Sequence, residues 1–371
     1  MKKGKKQKRK IAFRVVIAFV LLALVIIIVA AVIKTRNDLS VANVINAIGT
    51  MWEKSEMTDE FEYERSESAM PLDGGLVTVS NGGIRTYNSA GKENLVSSFT
   101  MQNPTLTVSG AYAAAYDIGG YIVKIFDTDN IVREIETENP IISADLNEKG
   151  WLVLCTQETG YSSSATVYNE SGTAVYKWSS GEGYVFSAKV YDNNSKMALL
   201  VLDADGTSFV RLALNSEEET GRFSLPGHVI VDFGFVGSGI SLITDSGIVF
   251  LNKDGEKDAE YDFGGRSLCD YTMENGRSVM AVLAEDAMQT SGEIVIITPD
   301  GTEAGKISVS EKVTDISSNK KRYAILGESG AVIYNEKFEE LSVYDDAEGE
   351  KIVFLDDGVM AVGEYMARLF K

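Results

Sequence analysis

Histidine occurs once in the 371 residues, cysteine twice and tryptophan three times. A single His excludes every multi-histidine metal site. Two Cys exclude a disulfide scaffold. Basic residues are scarce once the N-terminus is passed. Residues 1–33 carry eight basic side chains and no acidic one, leaving 27 basic against 54 acidic for residues 34–371. The formal charge of −19 is thus the sum of a basic tail and a body of −27. Such a body repels phosphates, which excludes nucleic acid as its partner. A hydrophobic fraction of 44% excludes a disordered chain.

The one long apolar run is Ile11 to Ile33, interrupted by Arg14 and preceded by the basic residues 1–10. These 23 residues, at about 1.5 Å rise each, match a hydrocarbon core of roughly 30 Å. A cleaved secretory signal has a shorter apolar region of ~7–15 residues. Residues 11–33 are therefore expected to be an uncleaved transmembrane helix. The heavy basic flank keeps residues 1–10 cytoplasmic, and all that follows becomes extracytoplasmic. Within residues 34–60, Asp38 to Met51 has the apolar stripe of a short amphipathic helix, followed by a Glu- and Ser-rich stalk.

From about Met70 the chain changes character. Short runs of Val, Ile, Tyr and Phe alternate with turns of Gly, Asn and Asp, and no long amphipathic helix intervenes. One unit recurs: a short apolar strand that ends in an Asx- or Gly-rich turn. Examples are Ile84–Gly91, Val123–Asn130, Ala165–Gly172, Ile248–Gly255, Val295–Gly301 and Ala331–Asn335. A period of roughly 36–46 residues suits four strands per repeat. An isolated four-stranded meander leaves both faces bare, whereas radial stacking buries them and ring closure protects the edges. The fold class expected is an all-β propeller of about eight four-stranded blades. Inner strands should begin near residues 69, 105, 141, 185, 229, 268, 313 and 351. The last unit has only three strands, and Phe61–Arg65 can supply the fourth, so the propeller is expected over 61–371. Seven blades remain if the first or last unit is incomplete.

These repeats resemble WD40-like and quinoprotein-like β-propellers. Tyr168-Asn169-Glu170-Ser171-Gly172 running on to Trp178 is similar to the quinoprotein pattern of a turn Gly before a strand ending in Trp. The whole layout resembles an uncharacterised Gram-positive family of membrane-anchored propeller proteins. With only three Trp the chain departs from the quinoprotein group, and no quinone site or other cofactor is implied.

Candidate chemistry is sparse. His228 lies in an inter-blade loop without a nucleophile-elbow sequence, which makes it a loop residue rather than a base. Cys155 and Cys269 fall in apolar strands of different blades and are expected to be buried, separate thiols. Asp127-Thr128-Asp129-Asn130, Asp192-Asn193-Asn194 and Asp203-Ala204-Asp205-Gly206 suggest calcium. All lack the remaining EF-hand ligands and read as Asx turns. The informative pattern lies in the inner strands, where Asp145, Asp232, Asp270 and Asp315 are expected in one register, with Lys189 in the equivalent place. Either each carboxylate accepts backbone N–H groups of a neighbouring blade, or the ring forms a negative funnel for a cation or basic peptide.

The function expected is a non-enzymatic, membrane-anchored scaffold binding a protein or cell-envelope ligand. The alternative is an envelope hydrolase or lyase working from paired channel-face carboxylates.

Overall fold

The computed structural model describes residues 60–371, apart from 65, 192, 274, 275, 287, 321, 356, 357 and 371. The expected cytoplasmic tail, transmembrane helix and juxtamembrane helix with its stalk lie outside the described residues. Among the described residues no helix is long and apolar enough to cross a membrane.

Among the described residues every strand belongs to one of eight antiparallel four-stranded sheets. Seven are meanders in chain order, spanning 68–98, 104–136, 141–180, 184–226, 230–262, 267–309 and 313–344. They are blades 1 to 7. Blade 8 takes three strands from the C-terminus (Lys351–Leu355, Gly358–Val362 and Met366–Phe370) and its outermost from Glu60–Glu62. Glu60, Phe61 and Glu62 pair with Arg368, Ala367 and Met366, so the two ends of the propeller are sewn into one sheet. The inner strands begin at 68, 104, 141, 184, 230, 267, 313 and 351. Each lies within one residue of expectation, and the ring has eight blades rather than seven.

Burial explains why the sequence takes this form. The second strands of the blades are buried on both faces by adjacent blades, so they read as continuous apolar runs, as in Val279–Ala284 and Leu152–Thr156. The fourth strands alternate, as in Lys257–Asp262, because one edge and part of one face meet water. Core clusters accordingly lie between blades. Val153 and Ala165 of blade 3 pack on Leu199 and Val210 of blade 4. Leu326 and Ile333 of blade 7 pack on Ile352 and Val359 of blade 8.

The repeat legible in the sequence is the hairpin between third and fourth strands. The side-chain oxygens of Asn88, Asn169, Asn252 and Asn335 each accept backbone N–H groups two and four residues on, at 2.8–3.1 Å. The chain then passes through a left-handed residue, Gly91 (φ 73°), Gly172, Gly255 or Phe338, and the ladder shifts by one residue.

Candidate functional site

The inner strands of blades 3 to 7 carry a second bulge near their start, and it sorts the polar residues into two tiers. The register shifts fall between Ile141 and Ser143, Val185 and Ser187, Ile230 and Asp232, Leu268 and Asp270, and Val313 and Asp315. Asp232, Asp270 and Asp315 therefore share one position with Ser143 and Ser187. Asp145 and Lys189 stand two residues further along, about 7 Å deeper by the strand rise. The expectation of a single register for all five residues is corrected: counted from the bulge that the strands share, Asp145 and Lys189 lie two residues beyond Asp232, Asp270 and Asp315.

The upper tier is tied into the ring. Asp270 Oδ2 accepts the Ile316 N–H of the next blade at 3.1 Å, and Asp315 Oδ2 accepts that of Ile352 at 2.6 Å. Asp232 instead meets side chains. Lys189 Nζ lies 3.1 Å from its Oδ1, and the Tyr271 hydroxyl donates to its Oδ2 at 3.1 Å. Lys189 also donates to the Phe233 carbonyl at 2.6 Å and stands 5.0 Å from the centre of the Phe233 ring. Burial, then the Asp232 carboxylate, pushes the Tyr271 hydroxyl well above its ordinary pKa. Asp145 is walled in by protein even though solvent reaches part of its side chain. Desolvation pushes its pKa up to about 7, with Lys189 opposing and Asp232 adding to the shift. Thus Asp145, Lys189, Asp232 and Tyr271 form one electrostatic group across blades 3 to 6, while Asp270 and Asp315 serve neighbouring interfaces.

His228 Nδ1 lies 3.0 Å from Asp245 Oδ1 and 3.3 Å from Ser246 Oγ. Both contacts converge on one ring nitrogen, whereas a catalytic triad needs Ser and Asp on opposite nitrogens. Cys155 is buried, which pushes its thiol up to about 12. Cys269, expected to be buried, is half-exposed, because the inner strand that carries it borders an open cleft. Both thiols are free. Asp127 Oδ1 accepts the N–H groups of Asp129 and Asn130, and Asp203 Oδ1 accepts that of Asp205, so both loops are Asx turns. Asp192 lies outside the described residues. Asn193 and Asn194 receive Lys149 Nζ and Asn147 Nδ2 of blade 3.

Strand direction gives the ring two distinct rims. Inner strands all begin on one rim, here called upper, so linkers between blades and loops between second and third strands lie there. The remaining hairpins lie on the lower rim. Large exposed apolar side chains collect at the upper rim: Tyr121, Tyr161, Tyr184, Val231, Met288 and Tyr365 are each more than 40% exposed. Ile118, Leu202 and Val229 join them there. The others sit on outermost strands, apart from Phe235 at the lower rim, which stacks on Tyr191 at 4.6 Å. Acidic residues occupy the loops of both rims, among them Asp245, Glu311, Asp345, Glu348 and Glu364 on the upper and Asp127, Glu148, Glu217 and Glu336 on the lower, where Lys92, Lys149, Lys253, Lys320 and Lys337 stand among them.

Two concavities open on the upper rim. One, of about 610 Å³, lies between blades 5 and 6 and is lined by Val231, Asp245, Arg266, Leu268 and Cys269 among others. The other, of about 570 Å³, flanks the closure of the ring at Tyr63, Glu350 and Tyr365. Sequence reasoning missed this rim. Its signal was there in the alternation of loops, once strand order assigns every second loop to the same side.

Solved structures share the architecture at low identity. The C-terminal WD40 domain of Sif2 superposes with a TM-score of 0.60 at 13% identity, covering 84% of this chain and 97% of that one. BamB from Moraxella catarrhalis gives 0.54 at 12%, covering 85% and 99%. The β-propeller domain of Myceliophteria thermophila Cps50 (Swd1) gives 0.51 at 12%, covering 73% and 98%. These likenesses establish the fold alone, and the expected kinship with WD40-like propellers holds at that level. No curated protein gives a significant match. The sequence profile of a family of unknown function, DUF5711, matches residues 51–341, and the chain belongs to that family.

Proposed function

We propose that the protein is a non-enzymatic scaffold, anchored in a membrane by residues 11–33, with an extracytoplasmic propeller that binds a protein or cell-envelope ligand. The observation that carries this reading is the gathering of exposed apolar side chains at the upper rim. Scattered surface hydrophobics are ordinary, but their concentration on one side of a rigid ring, beside two concavities, is what a docking face requires. A hydrolase acting from channel carboxylates would need acids free to meet a substrate. Asp232, Asp270 and Asp315 already hold Lys189 and backbone N–H groups.

Site-specific photo-crosslinking of the intact protein in its native membrane tests the proposal. Probes replacing Tyr161 or Val231 should capture one stoichiometric partner, and probes replacing Ser89 or Lys253 on the lower rim should not. Equal capture from both rims would remove the docking face. Turnover of envelope extracts that disappears in Asp145→Asn would replace the scaffold by the enzyme.

A further inference from the structure

The groove at the ring closure is built from three segments. Glu62 and Tyr63 continue the closing strand, Glu348–Glu350 lead into blade 8, and Gly363–Met366 form the hairpin between its second and third strands. Backbone bonds lock these walls together: Tyr63 N–H donates to Tyr365 O at 2.8 Å, and Glu350 N–H to Val362 O at 2.8 Å. The Tyr63 hydroxyl adds a bond to Gly363 O. The concavity is therefore preformed, with no loop left to be ordered when something enters it.

Its lining combines two features. Glu62, Glu348, Glu350 and Glu364 supply four carboxylates, and no basic residue among the described ones lines it. Among the described residues no ion pair engages Glu62, Glu348 or Glu350. Arg368 of the same blade is already held by Asp346 at 2.6 Å. The other feature is apolar: the Tyr63 ring at 7% exposure forms the floor, and Tyr365 at 50% stands at the edge beside Met366.

Like charges gathered in a concave site raise one another's energy and focus a negative potential outward. A cation relieves that, and the spacing decides which kind. Among the described residues no three acidic, His or Cys side chains converge as a metal cage would demand. Carboxylates spread along a groove suit charges that are themselves spread out, on Lys and Arg side chains of an extended chain. Their aliphatic stems can lie on Tyr365 and Met366, and a guanidinium can stack on the exposed ring. We propose that this groove binds a Lys/Arg-rich extended segment of a partner protein. The proposal rests on the reading of the upper rim as a docking face and names the chemistry of its partner.

The test uses the full-length chain in non-ionic detergent and a short fluorescent peptide of alternating Lys, Arg and Leu, followed by anisotropy. Binding should weaken steeply as salt rises through the physiological range. Glu348→Gln combined with Glu350→Gln should lower affinity roughly ten-fold, since two screened ion pairs are lost. Both changes are isosteric and keep the Glu350 backbone bond, so melting should be unchanged. Tyr365→Ala, an exposed position, should also weaken binding while leaving the charge intact. Binding indifferent to all three changes would overturn the proposal. A linear polyamine that binds as tightly and ignores Tyr365→Ala would overturn it too, because the groove would then merely gather counter-ions. If upper-rim crosslinking still captures a partner, the basic segment alone is wrong; if neither experiment responds, the docking face falls with it.

Discussion

Asp315 Oδ2 accepts a 2.6 Å hydrogen bond from the backbone N–H of Ile352, so a side chain of blade 7 satisfies the main chain of blade 8. Asp270 makes the same bridge one blade earlier, to Ile316 at 3.1 Å, while its Oδ1 accepts the Tyr271 N–H at 2.8 Å. A propeller has no main-chain ladder between blades, and such bridges fix their relative rotation where apolar packing is non-directional. Asp315→Ala should cost about 1.5–3 kcal/mol, because it leaves the Ile352 N–H without its partner. Asp315→Asn keeps an acceptor and should cost less. Urea unfolding of both variants decides the matter, and equal losses would mean that the charge rather than the bond is what counts.

Closure of the ring offers a second prediction. Gly91, in the hairpin of blade 1, has φ 73°, and a Cβ there would meet Phe61 Cβ at 2.4 Å. Phe61 belongs to the closing strand, and its ring lies 5.9 Å from that of Tyr87. Gly91→Ala is thus both strained and crowded against the latch, and should destabilise by about 1–3 kcal/mol. Tyr63→Phe removes only the bond to Gly363 O, at about 1 kcal/mol. Tyr63→Ala also empties a buried aromatic site and should cost about 3–5 kcal/mol. Hydrogen exchange should show the loss first in blade 8. Uniform loosening of all blades would contradict the role of this strand as the latch.

The blades were legible because their second strands are apolar runs and because blades 1, 3 and 5 add an Asn-x-x-Gly hairpin such as Asn169–Gly172. The closing strand was legible from the missing fourth strand of the last unit. It runs over Glu60–Glu62 rather than Phe61–Arg65, so the expected segment supplied the strand but shares only Phe61 and Glu62 with it. The two-tier arrangement of Asp145 and Lys189 beneath Asp232 was hidden, because no residue recurs at a fixed place in the inner strands to align one with the next, and only the pairing of each with its neighbour sets their common frame. Cys269 looked buried for a related reason. Its neighbours are apolar, yet the linker Gly264–Arg266 leaves the start of its strand open to a cleft. The upper rim was the hardest to see. Tyr121, Tyr184, Met288 and Tyr365 are far apart in the chain, and each alone is an unremarked surface residue.

The thiols should report this asymmetry directly. Cys155 is 1% exposed and its pKa is pushed up to about 12 by burial, so a disulfide-exchange reagent should not reach it in the native state. Cys269 is half-exposed, and burial together with nearby Asp270 and Asp286 raises its thiol too, so it should react, but slowly. Native protein is expected to release one equivalent of chromophore and unfolded protein two. Rapid release of both equivalents before unfolding would show that the interface between blades 3 and 4 opens readily.

Asp145 supplies a prediction with a definite sign. Its folded pKa of about 7 lies above the ordinary carboxyl value near 4 that it takes in the unfolded chain. Between those values the folded state binds the extra proton, so stability falls as pH rises through the window. Above about pH 7 the folded protein carries the full cost of an ionised, desolvated carboxylate; below about pH 4 that cost is absent. Asp145→Asn removes the titration. It should flatten the decline of unfolding free energy between acid and neutral pH and stabilise the protein at pH 8. The gain should be on the order of a few kcal/mol at most, because Lys189 offsets part of the burial. Lys189→Met should act oppositely, raising the Asp145 pKa further and leaving Asp232 without its cation. Urea titrations across this range check both variants. A wild-type stability that instead rises from pH 5 to pH 8, unaltered by Asp145→Asn, would mean that this carboxylate ionises freely in the folded ring.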